Sequence, residues 1–431
     1  MIGGVKMEEQ ENMETTEIIR NASGVFPLKI APGGRYFNDC NDEPFLIKAD
    51  TAWMIFANIT VEEAGYYLDQ RRENGINTIL CYAAPFRIED SNVYGEKAFI
   101  DSDLSAPNDL YFKHVDQIIR LAAAKNMLVI MGPVEMGDYA KYYTQKNAKT
   151  LGHYFGKRYK GFGNLMWFVG GDIHPDQVQI DICDTLAKSL RKHDPDHLIS
   201  FHPAGGNSSS DYFNDYPWLD FNMVQVFGPE SPKHYSWMLS DYSKTPVRPT
   251  MLAEPCYEDN DDMGTPPVMN SAYQVRRAIS WGFLSGGCGL FYGHKNVYKY
   301  TSKPNWKDML SRPAFIQYSS ICAFFGRREW HKLVPDVSHK LLISGFGDDG
   351  SMDRAAAGLA SDGSFAIIYI PSSRFITINM NCFNSAKSIR WYDPTNNKHT
   401  IVGRYLNKGN LEFSRIQANS EGRFDRFLVI E

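Results

Sequence analysis

Two acidic residues stand where carboxylate chemistry on a single bond would need them. Asp172 closes the run NLMWFVGGD directly after Gly170 and Gly171, and Glu254 closes RPTMLAE directly before Pro255. Each run is apolar, of strand length, and ends in one ionisable side chain. The glycines let backbone approach a ligand closely, and the proline stops the ladder. Acetal hydrolysis uses such a pair: one carboxyl protonates the departing oxygen while the other attacks the carbon, with the two about 5–5.5 Å apart for retention of configuration. Single strand-end acids also serve as helix caps or arginine partners, so the recurrence of the pattern carries the weight.

The elements that must position these acids follow one alternation from about Phe45 to Phe325: a short apolar run, then an amphipathic segment. This predicts buried parallel strands joined by helices. The expected strands are Pro44 to Asp50, Thr78 to Ala84, Leu128 to Val134, Leu165 to Gly170, Leu198 to Pro203, Met223 to Phe227, Thr250 to Glu254 and Gly289 to Tyr292. Between them, Val115, Ile118, Ile119 and Ala122 share one helical face, as do Ile182, Leu186 and Leu190. Eight such units close a (β/α)8 TIM barrel, whose functional groups sit at the C-terminal ends of the strands. Asp172 and Glu254, on the fourth and seventh strands, then face each other across the mouth. The segment LKIAPGGRYFNDCNDEPFLI, with Pro-Gly-Gly and Asn-Asp turn signals, predicts a hairpin across the lower mouth. After Pro335 the runs SFAIIYIP, FITINMNC, SIRWYD and RFLVIE alternate between turns and predict an antiparallel β-sandwich. The expected domains are a disordered leader over 1–23, the barrel over 24–335 and the sandwich over 336–431.

Other strand ends offer supporting side chains. Asp50 suits hydrogen bonds to sugar hydroxyls or a structural ion pair, and Trp53 suits ring stacking or core packing. His202 ends the fifth strand as a contact to substrate or nucleophile, or as a buried histidine satisfied by backbone. Tyr82 and Glu135, at the ends of the second and third strands, are further candidates for substrate contact.

Composition narrows the partners. A formal net charge of -5 gives no basic stripe for a phosphate backbone, which argues against nucleic acid. Aromatics make up 13% of the chain, with 24 Tyr and 8 Trp, enough to supply platforms for sugar rings. No apolar stretch approaches the roughly 20 residues of a membrane span. The seven scattered cysteines, without a CxxC pair or nearby histidines, predict reduced thiols and no metal site. The first residues, MIGGVKMEEQENMETTEIIR, lack the apolar run of a signal peptide, so a cytoplasmic location is expected unless a leader precedes Met1, in which case the protein is secreted or periplasmic.

The ordered motifs resemble a known family. PFLIKADTAWMIF is similar to the GDTAWELF-like opening of the apiosidase-like glycoside hydrolases, first described as a domain of unknown function. YFKHVDQII, MWFVGGDIHPD, SFHPAGGNSSSDYF, MLAEPCYE, LFYGHKNVY and FGRREWHKLVPD extend the resemblance over residues 25 to 335. The tail, with IRWYDPTNN, resembles the collagen-binding-like domain that often follows this catalytic domain. The resemblance implies a clan of retaining barrel hydrolases, with Asp172 as acid/base on the fourth strand and Glu254 as nucleophile on the seventh. It also implies that Tyr292 or His294, at the end of the eighth strand, orients the nucleophile, and that Gln225 occupies a polar position on the sixth. Two departures stand out. Relatives usually place Asn-Glu where this chain has Gly171-Asp172, so the acid is one methylene shorter and backbone position must compensate. QVFGPE replaces a QSGH-like run.

The expected reaction is double displacement on an oligosaccharide or other glycoside, releasing a terminal sugar from a plant or complex glycan, with no metal or organic cofactor. A metal-dependent barrel hydrolase would need a His-x-His pair after the first strand, where this chain has Asp50-Thr51-Ala52-Trp53. A carbohydrate-binding protein that has lost catalysis on the same barrel remains the alternative. The motifs do not specify the sugar, the linkage or the oligomeric state.

Overall fold

The computed structural model describes residues 24–226, 228, 231, 233–261, 269–414 and 417–431. The expected leader, Phe227 at the end of the expected sixth strand, and the middle of the loop that follows Glu254 lie outside them. The chain forms two compact units, one running to Met223 and taking in Asn296–Met309, the other comprising Val224–Lys295 and Leu310–Glu431.

The first unit contains five parallel strands: β1 (Ile47–Thr51), β2 (Thr78–Tyr82), β3 (Leu128–Gly132), β4 (Leu165–Gly170) and β5 (Ile199–His202). They alternate with helices α1 (Val61–Glu73), α2 (Asp109–Ala124), α3 (Gln145–Tyr159), α4 (Gln177–His193) and the single turn α5 (Ser210–Phe213). Apart from Lys48, every residue of these strands is buried, which is why they appear in sequence as unbroken apolar runs. Local signals start the helices. Thr60 with Glu63 and Asp176 with Gln179 form reciprocal capping boxes at α1 and α4.

The expected first strand divides at Leu46. Pro44–Phe45 joins Lys29–Ile30 and Phe37–Asn38 in a small antiparallel sheet, and only Ile47 onward runs in the parallel sheet. This small sheet lies toward the N-terminal ends of the strands: Phe37 meets Phe221, just upstream of the sixth strand, edge to face at 5.6 Å.

Strand β6 (Asn222–Gln225) leads into the second unit, which holds β7 (Thr250–Glu254), β8 (Gly289–Tyr292) and helices α6 (Lys233–Ser243), α7 (Ala272–Leu284) and α8 (Pro313–Gly326). Strands β7 and β8 are neighbours, and α7 packs on both. Among the described residues, eight β/α repeats therefore follow one another, and the fold class is the (β/α)8 barrel with a C-terminal antiparallel sandwich.

The sandwich has a six-stranded sheet in the order β9 (Leu333–Pro335), β11 (Ala356–Ala360), β12 (Ala366–Ile370), β17 (Arg426–Ile430), β14 (Lys387–Asp393), β15 (Lys398–Tyr405). Its second sheet orders β10 (Leu342–Ser344), β13 (Ile376–Asn379), β16 (Asn410–Phe413). Because β9 pairs with β11, the first sandwich strand begins at Leu333, ahead of the expected start at 336. Ile368, Ile370, Ile376, Ile378, Leu428 and Ile430 form its core. The sandwich is fastened to α7 and α8 by buried polar and aromatic contacts. The Arg276 guanidinium donates to both Asp425 oxygens at 2.7 and 2.8 Å, Trp281 Nε1 donates to the Arg354 carbonyl at 2.8 Å, and Phe324 stacks on Tyr392 at 4.4 Å. All seven cysteines are free thiols, and among the described residues no helix is long and apolar enough to cross a membrane.

Candidate active site

In the first unit the parallel register brings the C-terminal ends of β2 to β5 level, pairing Tyr82 with Gly132 and Gly170 with His202. An aromatic cluster fills this rim. Trp53 stacks on Tyr82 at 4.8 Å and meets the His202 ring edge to face at 5.3 Å, and Phe168 packs against all three at 5.2 to 6.1 Å. Gly132 makes room for that ring, since a Cβ there would lie 2.5 Å from Phe168. Trp53, Tyr82 and His202 are all buried. Trp53 is thus a wall of the rim rather than an open stacking platform.

Asp172 emerges from this rim on a strained turn. Gly170, Gly171 and Asp172 have φ of 88°, 121° and 42°, values at which a side chain costs about 1–3 kcal/mol. Two of these positions must be glycine for space as well. A Cβ on Gly170 would meet the Phe201 ring at 2.3 Å, and one on Gly171 would meet the Tyr82 hydroxyl at 2.3 Å and Glu135 Oε1 at 3.0 Å. The Gly171 amide donates to the His202 carbonyl at 2.9 Å, and the Gly171 carbonyl accepts from the Gly137 amide at 3.2 Å. The Asp172 side chain itself is exposed, with a carboxylate oxygen within 4.8 Å of a His202 ring nitrogen.

Glu135 is buried behind that turn and caps the short helix Met136–Tyr139, accepting from the Gly137 amide at 2.8 Å and the Asp138 amide at 2.6 Å. Burial pushes its carboxyl up to about 7, the two amides pull it down, and the charge of Asp172 adds to the rise. Glu135 is therefore a buried helix cap behind the Asp172 turn, in place of the expected sugar contact.

Asp50 corrects the expectation of a sugar-binding carboxylate. Its side chain has no exposed surface; Oδ2 accepts from the Tyr67 hydroxyl at 2.6 Å and from the Arg71 guanidinium. Tyr67 and Arg71 lie four residues apart on α1, one turn of helix, and both are fully buried. The ion pair fastens α1 to β1.

In the second unit, Glu254 is the last residue of β7 and half-buried, its backbone carbonyl accepting from the Val226 amide at 3.0 Å. The loop after it carries a second acid that sequence reasoning did not single out. Glu258 is buried, accepts from the Tyr292 hydroxyl at 2.5 Å, and accepts from the Ala314 and Phe315 amides at 2.9 and 3.3 Å, where α8 begins. Burial lifts its carboxyl above the usual range, while the Tyr292 hydroxyl and the Ala314 amide pull it back. Tyr292, expected to orient the nucleophile, donates its hydroxyl hydrogen to Glu258. His294, the other residue expected in that role, is buried with Nε2 at 3.2 Å from Asp259, which also pairs with Arg312 at 2.9 Å. Gln225 is buried at the end of β6. Glu258 closes the MLAEPCYE motif, but its amide partners lie 56 and 57 residues downstream, so the local pattern could not show what it caps.

Comparison with known proteins agrees with this architecture. The family profile described as "Apiosidase-like, catalytic domain" matches residues 31–332, and that of a proposed collagen-binding domain of a collagenase matches residues 334–431. A solved structure titled glycoside hydrolase is 26% identical, with a TM-score of 0.85 over 95% of this chain and 97% of its own. A glycoside hydrolase family 5 structure from Bacteroides vulgatus is 25% identical, with a TM-score of 0.85 over 94% of this chain and 93% of its own. No curated protein matches the chain. With well over half its length matched by the catalytic-domain profile, the chain belongs to the apiosidase-like family of glycoside hydrolases.

Proposed function

We propose that this hydrolase acts with retention of configuration, removing a terminal sugar from a plant or other complex glycan. In this reading Glu254 attacks the anomeric carbon while Asp172 protonates the leaving oxygen. Water then cleaves the glycosyl-enzyme as Asp172 takes back a proton, so two inversions give net retention.

The observation that carries the reading is the delivery of Asp172. A carboxylate standing exposed on a strained Gly-Gly-Asp turn, in front of an aromatic wall, costs stability that a capping role would not require. Glu254 supports it as a half-buried acid ending a strand in the same barrel fold. The family's name points toward pentofuranosides such as apiosides as the first substrates to try.

A panel of aryl pentosides and hexosides, followed by proton NMR of the first-formed sugar, tests the proposal. Turnover with the anomer of the substrate preserved supports it. Turnover with the opposite anomer appearing first would replace it with a single-displacement mechanism.

A further inference from the structure

The chain's acid is a methylene shorter than a glutamate, and Asp172 is placed by a turn whose three residues all lie in the left-handed half of backbone space. Such a turn persists only where its surroundings over-determine it. Three contacts do so on the side away from solvent. The Gly171 amide is held by the His202 carbonyl, the Gly171 carbonyl is held by the Gly137 amide, and the space beside the Gly171 Cα is closed by the Tyr82 hydroxyl and Glu135 Oε1. Tyr82 cannot retreat easily, being buried and stacked on Trp53.

Glu135 links these contacts. Its Oε1 accepts from the same Gly137 amide that reaches the Gly171 carbonyl, and its Oε2 accepts from Asp138. Gly137 has no room for a side chain, since a Cβ there would lie 2.9 Å from Glu135 Oε1. The loop after β3 and the turn after β4 are thus one fastened unit.

We infer that Glu135 is a positioning residue: by fixing the Gly137 amide and closing the space behind Gly171, it sets where the Asp172 carboxyl is presented to the leaving group. This rests on Asp172 being the acid/base. It assigns Glu135 no contact with substrate.

The experiment compares kcat/KM for two aryl glycosides of whichever sugar the wild-type enzyme accepts, one with a 2,4-dinitrophenolate leaving group and one with a 4-methoxyphenolate. The parameter kcat/KM reports glycosylation, and only the poorer leaving group needs a proton there. Misplacing an acid by about 1 Å costs on the order of 10²-fold. Glu135→Ala is expected to lose about 10²-fold on the methoxyphenyl glycoside and under about threefold on the dinitrophenyl one. Glu135→Gln keeps one amide acceptor and is expected to recover at least about tenfold of that loss. Gly171→Ala, which pushes the turn from the other side, is expected to reproduce the leaving-group dependence.

Because Glu135 is buried with Asp138, Asp172, Tyr82 and Tyr143 around it, a merely structural role remains the contrary outcome. It would lower both substrates equally in Glu135→Ala and in Glu135→Gln, and that result overturns the inference. Asp172→Ala run in parallel separates the two levels. If it shows no leaving-group dependence, the assignment of Asp172 fails. If it does and the Glu135 variants do not, only the positioning role fails.

Discussion

The Tyr292 hydroxyl donates to Glu258 across 2.5 Å, joining the end of β8 to a buried acid that also caps α8. Tyr292, expected to orient the nucleophile, thus supports the loop that follows Glu254. Removing the hydroxyl leaves a buried carboxyl one donor short, which costs about 1–3 kcal/mol. Tyr292→Phe is expected to lose that much in urea unfolding at pH 7. The deficit shrinks at pH 5, where the burial-lifted Glu258 carboxyl is closer to neutral and depends less on the donor. An equal deficit at both pH values would contradict the pairing.

Asp50 and Arg71 make a second distinction testable. The pair is fully buried, and removing one partner of a buried pair costs about 3–5 kcal/mol by stranding the other charge. Asp50→Ala is expected to show this loss in denaturant melts. A raised KM with unchanged unfolding would instead restore the sugar-binding role expected from sequence.

Glu135 gives stability a pH dependence. Its carboxyl in the fold lies at about 7, above the ordinary 4.5. The protonated form is therefore favoured by folding, and the contribution is full below pH 4.5 and lost as pH rises through about 7. Its size is on the order of 3 kcal/mol. Glu135→Gln, which stays neutral, should gain stability relative to wild type between pH 5 and pH 8. A gap between the two proteins that stays constant over that range would contradict the burial of an ionisable group there.

Much of the scaffold was legible because buried parallel strands leave a plain trace. Leu165–Gly170, Thr250–Glu254 and Gly289–Tyr292 begin and end where their apolar runs do. Strand β15, Lys398–Tyr405, was not singled out because every residue of it is exposed or half-buried and it carries no clean alternation. At the rim, residue types marked polar and ionisable groups at strand ends but not the directions of their hydrogen bonds. Asp50 turned inward because Tyr67 and Arg71, one helical turn apart, supply a buried phenol and guanidinium. Glu258 was hidden because its partners are backbone amides of α8, which have no signature in sequence. The positive φ of Asp172 was equally invisible, though the two glycines before it were the clue that the backbone there does something a larger residue forbids.

The most direct test of the paired-carboxylate account uses azide as a replacement nucleophile on an activated aryl glycoside, in Glu254→Ala and Asp172→Ala separately. If Glu254 is the nucleophile and Asp172 the acid/base, azide rescues both variants, giving the glycosyl azide of inverted configuration from Glu254→Ala and of retained configuration from Asp172→Ala. A retained-configuration azide from Glu254→Ala would contradict the account.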